Sequence, residues 1–417
     1  MSEFLKTSLE YVLHKPISGS RPKGGASIVG EIPSLGGENI TMEGGLKLEV
    51  VKKISSEFFK SMPRGQLRNL DVLINKDGAN TGKSTIYRKS PFLNAAVNEH
   101  LFILRGKEGK LDQEYLHHLL QFSLIKAILE IKITGSAQPG INSTFVKNFP
   151  VDLAPFPEQK KIASILTSVE EVIENTKKQI DKLRDLKKAT MNVLLTKGIG
   201  HTEFKDSELG RIPKSWEVKT LSTICKKIAD RDHTTPEYVH KSDGVPIVSP
   251  TNLDADMELD LTKLKYVSFE AHEKNQKKTD LSPNDIIFSR IGAGLGKSYL
   301  VKSSFYNFSI LHSLCQIRAD KNLISPTYLL WQMRTREFQD RLWLGVQSIG
   351  VPDLGLGEIG HLKVPVCSLD EQQRITRHLE SVQSCILQKK SLLKKNQSLK
   401  KSLMQDLLTG KVRVRVN

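Results

Sequence analysis

Apolar residues recur at alternating four- and three-residue spacing along two stretches of about 40 residues, while the remainder of the chain breaks into short β-branched runs. In the first stretch the stripe follows Ile162, Leu166, Val169, Ile173, Ile180 and Leu183, steps to Leu186 and resumes at Val193 and Leu194. In the second it follows Ile375, Leu379, Val382, Ile386, Leu393, Leu399, Leu403 and Leu407. This period predicts two long amphipathic helices, each with a single apolar seam. Neither stretch carries an interior Gly or Pro, Pro157 suits a first turn, and Gly198 and Gly410 are stop signals. At 1.5 Å per residue each helix is a rod of roughly 60 Å. A seam must be covered, and the nearest cover is the other rod, so the pattern predicts that the two rods pack on each other within the chain.

The two stretches are copies of one another. PEQKKIASIL from Pro157 returns as DEQQRITRHL from Asp370, 213 residues later, and about 15 of the 39 positions from Glu158 to Thr196 are identical. The preceding segments match at nearly the same displacement: IPSLGGENI with VPIVSPTNL, keeping Pro33 with Pro246 and Asn39 with Asn252, and LDVLINKDGANTGKS with NDIIFSRIGAGLGKS. The chain is therefore a tandem duplication. Short strands punctuated by Gly, Asn and Pro predict mixed α/β units with a twisted sheet and long loops. The partition reads 1–156 as a first α/β (α+β) domain, 157–197 as a helix and 198–212 as a linker. It continues with 213–369 as a second, pseudo-symmetric domain whose core begins near Trp216 and Val218, and 370–410 as the second helix.

Charge narrows the partner. Lysine plus arginine exceed acids by 62 to 46, a net +16, and dispersed cations favour a polyanion because binding releases its counterions. The amino terminus, MSEFLKTSLEYVLHK, has no uninterrupted apolar core for a signal peptide or membrane span, so a cytoplasmic protein is expected. Cys225, Cys315, Cys367 and Cys385 show no zinc-ligand spacing and read as packing residues. The adjacent His117 and His118 point about 100° apart on a helix, which assigns them to a helix surface and core edge rather than to a metal. No metal site is expected.

The glycine motifs GANTGKS and GAGLGKS resemble a phosphate-binding loop, but only three residues separate Gly78 from Gly82 and Gly292 from Gly296, where the nucleotide motif has four. Two readings stay open: a plain hairpin turn, or one that brings Lys83 and Lys297 to a DNA phosphate. There is no methyl-donor or dinucleotide glycine fingerprint, no HExxH and no GxSxG, and the Glu130-Ile131-Lys132 triplet is noise in so charged a chain. No catalytic residue is assigned.

With PFPEQKKIA, SELGRIPKSWEV, SLDEQQRIT and LLTGKV in this order, the whole chain resembles the specificity subunit of type I DNA restriction-modification systems. The resemblance implies two target-recognition domains separated by two long helices that pair antiparallel as an intramolecular coiled coil, each domain reading one half of a bipartite, asymmetric DNA target. It also implies that this chain holds no cofactor. Two modification subunits would carry S-adenosylmethionine for adenine methylation, and restriction subunits would use ATP and Mg for translocation and cleavage. The first domain departs from the pattern by lacking an RIPKSWEV-like lead-in, which leaves its opening strand unassigned.

Candidate DNA contacts lie on three sets of loops. The early loops offer Arg21 and Lys23 in one half and Arg231 and His233 in the other, and the hairpins offer Lys83, Arg290 and Lys297. The late loops GSAQPGINS and GVQSIGVPD offer Gln138, Asn142 and Gln347, whose amides can pair bidentately with adenine. Two other classes compete with this reading: a coiled-coil scaffold with basic modules for RNA or protein, and a self-contained nucleotide-dependent nuclease. An aromatic content of 6% speaks against a base-stacking RNA module.

Overall fold

The computed structural model describes residues 4–88, 92–134, 139–231, 234, 236–254, 258–344 and 351–416. Two compact units emerge, one of Met1–Lys178 with Lys390–Asn417 and the other of Gln179–Lys389. The long helices, Phe156–Lys197 and Leu369–Leu408, each contribute a part to both units.

In the first unit a four-stranded sheet orders Ile17–Ser18, Leu101–Leu104, Val72–Asn75 and Ser84–Ile86, antiparallel throughout. A three-stranded sheet centres on Ile32–Leu35, which pairs antiparallel with Lys53–Ile54 and parallel with Ala96–Val97. The second unit repeats both: Cys225–Ala229, Leu314–Ala319, Ile286–Ser289 and Ser298–Leu300 form the four-stranded sheet, and Gly244–Val248 lies between Lys265–Ser268 and Ser309–Ile310. Their central strands are buried on both faces, which is why Val72-Leu73-Ile74 and Ile286-Ile287-Phe288 read as unbroken apolar runs. The opening strand left unassigned in the first unit is Leu5–Ser8, antiparallel to Pro150–Leu153, just as Glu217–Thr220 pairs with Lys363–Val366. The polar connector after Lys197 folds into a hairpin, Phe204–Ser207 with Gly210–Pro213.

The helices pair antiparallel within each unit. In the first, Ile162, Ala163 and Leu166 near the start of the central helix share a core with Met404, Leu407 and Leu408 at the end of the C-terminal helix. In the second, Leu195 shares a core with Ile375 and Leu379. Leu186 and Val193 are about half exposed, at 51% and 48%, and so is Leu399, so the predicted step in the stripe does not occur. Burial instead keeps strict heptads through Leu166, Ile173, Ile180, Lys187 and Leu194, with buried Thr176 in the companion row. Two polar residues in the seam disguised its period.

The repeated Glu-Gln at each helix start explains why those positions match. Gln159 accepts from the Asp112 N–H at 3.0 Å and donates to the Lys110 and Ala154 carbonyls, and Gln372 does the same with Ser325, Leu323 and Cys367. Glu371 accepts from Ile199 N–H at 3.0 Å, Trp216 Nε1 at 3.0 Å and His201 Nε2 at 2.8 Å. Glu158 accepts from Arg413 Nε at 2.8 Å and the Val414 N–H at 3.2 Å. Each glutamate thus anchors the chain leaving the end of the other helix. Gly198 can only be Gly there, since φ is +66° and a Cβ would sit 2.4 Å from Glu371 Oε1.

Cys315 and Cys367 lie in the second core, whereas Cys385 is exposed on the C-terminal helix and is not a packing residue. Among the described residues no helix is long and apolar enough to cross a membrane.

Candidate nucleic-acid interface

Both glycine motifs are hairpin turns. Gly78 and Gly82 have φ of +75° and +84°, and Gly292 and Gly296 of +80° and +85°, so the three-residue spacing serves the turn between antiparallel strands. Lys83 donates to Asn80 Oδ1 and Lys297 to the Leu253 carbonyl at 2.8 Å; both are half-buried. Each ammonium spends one of its three donors inside its own unit and keeps the others.

The hairpins are stapled to the late loops. Gly78 N–H donates to Pro139 O at 2.9 Å and Ile141 N–H to Lys76 O at 2.7 Å; in the second unit Gly292 N–H meets Pro352 O at 2.8 Å and Leu354 N–H meets Arg290 O at 3.0 Å. Two loops distant in sequence therefore make one surface in each unit. Asn142 caps the turn Ser143–Val146, its carbonyl accepting from Thr144 N at 2.9 Å and from Thr144 Oγ1. Its acceptor is engaged, so bidentate adenine pairing requires the cap to open, and only the NH2 is at hand. Gln138, His233 and Gln347 lie outside the described residues.

The arginines divide by burial. Arg21 is exposed and paired with Glu99 at 2.8 Å, and Lys23 is exposed at the Pro22–Gly25 turn. Arg231 is buried and donates to the Thr234 carbonyl and hydroxyl at 3.3 Å, and Arg290 is 4% exposed. Arg290 pairs with Asp230 at 3.1 Å and with Asp353, and donates to the Leu354 carbonyl at 3.0 Å. A guanidinium so engaged clamps the early loop to the late loop. Arg231 and Arg290 are interior residues of the second unit, not surface loop cations.

His117 and His118 are also interior, correcting the surface assignment: they are 1% and 0% exposed. Both face the central helix, where His117 Nε2 lies 3.4 Å from Glu170 and His118 Nε2 is 2.9 Å from Thr167 Oγ1. Among the described residues these two and Glu170 form a group whose candidate metal-ligand atoms lie within 4.8 Å of one another. His118 Nε2 is engaged by Thr167, and Glu170 by Lys400, whose ammonium is 2.6 Å away. Burial, then the neighbouring His117, drives the His118 pKa down to about 3, so it is neutral. Burial pushes the Glu170 carboxyl up, but His117 and Lys400 outweigh it and hold the group well below the usual range.

A basic cleft in the first unit escaped the sequence reading. Lys15, Arg64 and Lys76 surround it, with Asn142 on its wall. The available signal was Lys76 aligning with Arg290 in INKDGANTGKS and FSRIGAGLGKS, although the two fold to different ends.

The chain matches the family described as type I restriction modification DNA specificity domain twice, over residues 27–185 and 213–397. The specificity subunit of the MjaVIII type I restriction enzyme of Methanocaldococcus jannaschii is 27% identical over 371 residues, which span 87% of this chain and 84% of that one. A second specificity subunit of that organism, MjaX, is 29% identical over 80% of this chain and 76% of its own. Among solved structures, the type I restriction-modification S subunit from M. genitalium shares the fold with a TM-score of 0.61 at 14% identity, covering 97% of this chain and 96% of its own.

Proposed function

The chain belongs to the type I restriction-modification DNA specificity family, and from that premise we propose that each of its two units reads one half of a bipartite, asymmetric DNA target. It is a sequence-specific DNA-recognition subunit and not itself a catalyst. In this reading two methyltransferase subunits bring S-adenosylmethionine, restriction subunits bring ATP and Mg, and all assemble on this chain in the cytoplasm. Backbone phosphates fall to Arg21, Lys23, Lys83 and Lys297, which position the duplex, while bases are read by the joined hairpin and late-loop surfaces.

The observation that carries the proposal is the double family match on two units of the same strand order whose loops differ. Asn75, Lys76 and Asp77 in one unit stand where Ser289, Arg290 and Ile291 stand in the other. Two similar scaffolds with different surfaces suit two different half-sites. Replacing the residues before Phe156 with those of a relative, then mapping N6-methyladenine in cellular DNA, is expected to change one half of the methylated motif. A change in both halves, or in neither, would remove the modular reading.

A further inference from the structure

Several cations of the first unit have an acidic partner: Arg21 has Glu99, Arg88 has Glu114 and Arg105 has Asp71. Three that surround one cleft of about 410 Å³ do not. Lys15 and Arg64 are exposed and make no ion pair with the described residues, and the Lys76 ammonium has only the Phe102 ring, 5.4 Å from its centroid. The one carboxylate on the wall, Asp77, is taken by His100 Nδ1 at 2.7 Å.

The backbone holds this arrangement in place. Lys76 follows the buried strand Val72–Asn75, donates its N–H to His100 O at 2.9 Å and accepts from Ile141 N–H at 2.7 Å. Arg64 sits in a turn closed by Gly65, where φ is +94° and a Cβ would lie 2.6 Å from Gly19 Cα. Lys15 follows the bridge between Leu13 and Gly106. At the matching place in the second unit, Arg290 is neutralised by Asp230 and Asp353. The duplicated scaffold therefore carries an ion-paired cation in one unit and, in the other, three that make no ion pair with the described residues. Like charges converging on a concave wall repel until an anion joins them.

We propose that this cleft seats a backbone phosphate of duplex DNA, with Lys15, Arg64 and Lys76 as its contacts. This rests on the DNA-recognition reading and adds that the first unit holds its half-site through a phosphate grip, whereas the cation at the matching place in the second unit, Arg290, is ion-paired. The test uses the full-length chain, isolated with whatever co-purifies from its own cells, and a fluorescent duplex of unrelated sequence titrated across a salt series. Lys76→Gln and Arg64→Gln should each lower the slope of log affinity against log salt by about one unit, and Lys76→Arg should restore it. Methylation motifs in cells should keep their sequence. If the parent protein binds with a steep slope that the glutamine variants retain, the cleft proposal is wrong while DNA recognition stands. A parent protein that binds no duplex would overturn both. Inorganic phosphate at constant ionic strength should not displace the duplex; displacement that Lys76→Gln abolishes would make this a free-anion site and overturn the DNA assignment.

Discussion

At the scale of single residues, burial decides what a cation can do, and burial depends on partners far away in sequence. Arg290 reads from its neighbours as a hairpin cation, yet Asp230 and Asp353, some 60 residues to either side, turn it into an interior clamp. Nothing within SRIGAGLGKS signals that. Removing one partner of such a pair leaves the other charge stranded, so Arg290→Ala should cost the second unit about 3 kcal/mol or more. All three tryptophans, Trp216, Trp331 and Trp343, lie in that unit, and urea unfolding followed by their fluorescence reads its stability directly. Glu158 offers a pH prediction. Its hydrogen bonds from Arg413 come first, opposed by burial and aided by the Val414 N–H, and together they lower its pKa below the ordinary value. A carboxyl depressed on folding stabilises fully above its unfolded value of about 4.3, and that contribution disappears as pH falls through the lower folded value. Glu158→Gln should therefore destabilise the first unit by about 1–3 kcal/mol at neutral pH and by progressively less in acid. Hydrogen exchange of Phe156–Lys178 is the measurement.

Helices and hairpins were more legible than side-chain roles, because their cause is periodic. Both long helices were visible from spacing alone, and their observed limits, Phe156–Lys197 and Leu369–Leu408, lie close to the predicted 157–197 and 370–410. The error in the seam came from equating seam with apolar. Thr176 is 4% exposed and Lys187 half-buried, so they belong to the contact rows that Leu186 and Val193 were assigned to. Lys187 reaches Gln383 Oε1 at 3.1 Å and lies over the Trp331 ring, which shows how a cation is tolerated there. Thr176 satisfies its hydroxyl on the Val172 carbonyl of its own helix, at 2.7 Å. Thr176→Val removes no partner from another element and adds apolar surface to a heptad position, so thermal unfolding should occur at higher temperature by the equivalent of about 0.5–1 kcal/mol. A lower midpoint would mean that the buried hydroxyl matters beyond its own helix. The hairpins were legible from glycine spacing, but their union with the late loops was not, since it depends on backbone pairs such as Gly78 with Pro139.

For the whole molecule, duplication was the most legible property, because identical residues at a fixed displacement need no physical interpretation to be counted. How the copies share material was not legible: Met1–Lys178 is completed by Lys390–Asn417, whereas Gln179–Lys389 is continuous. One expected outcome is that a single proteolytic cut in the connector near Gly200, exposed between helix and hairpin, leaves two fragments that stay together under native conditions. They separate only in denaturant, because the first core includes Met404, Leu407 and Leu408; native gel migration of the nicked protein checks this. The discontinuity also has a consequence for synthesis. A ribosome finishes the first unit's amino-terminal portion long before it makes the helix that covers Ile162, Ala163 and Leu166. The intervening 211 residues of Gln179–Lys389 take about 10 to 40 s to translate, at about 5–20 residues per second. Throughout that interval the nascent chain displays an uncovered apolar stripe. The half made first is thus the half completed last, and premature termination between Lys390 and Met404 would leave the earliest-made domain without its cover while the later one is already whole.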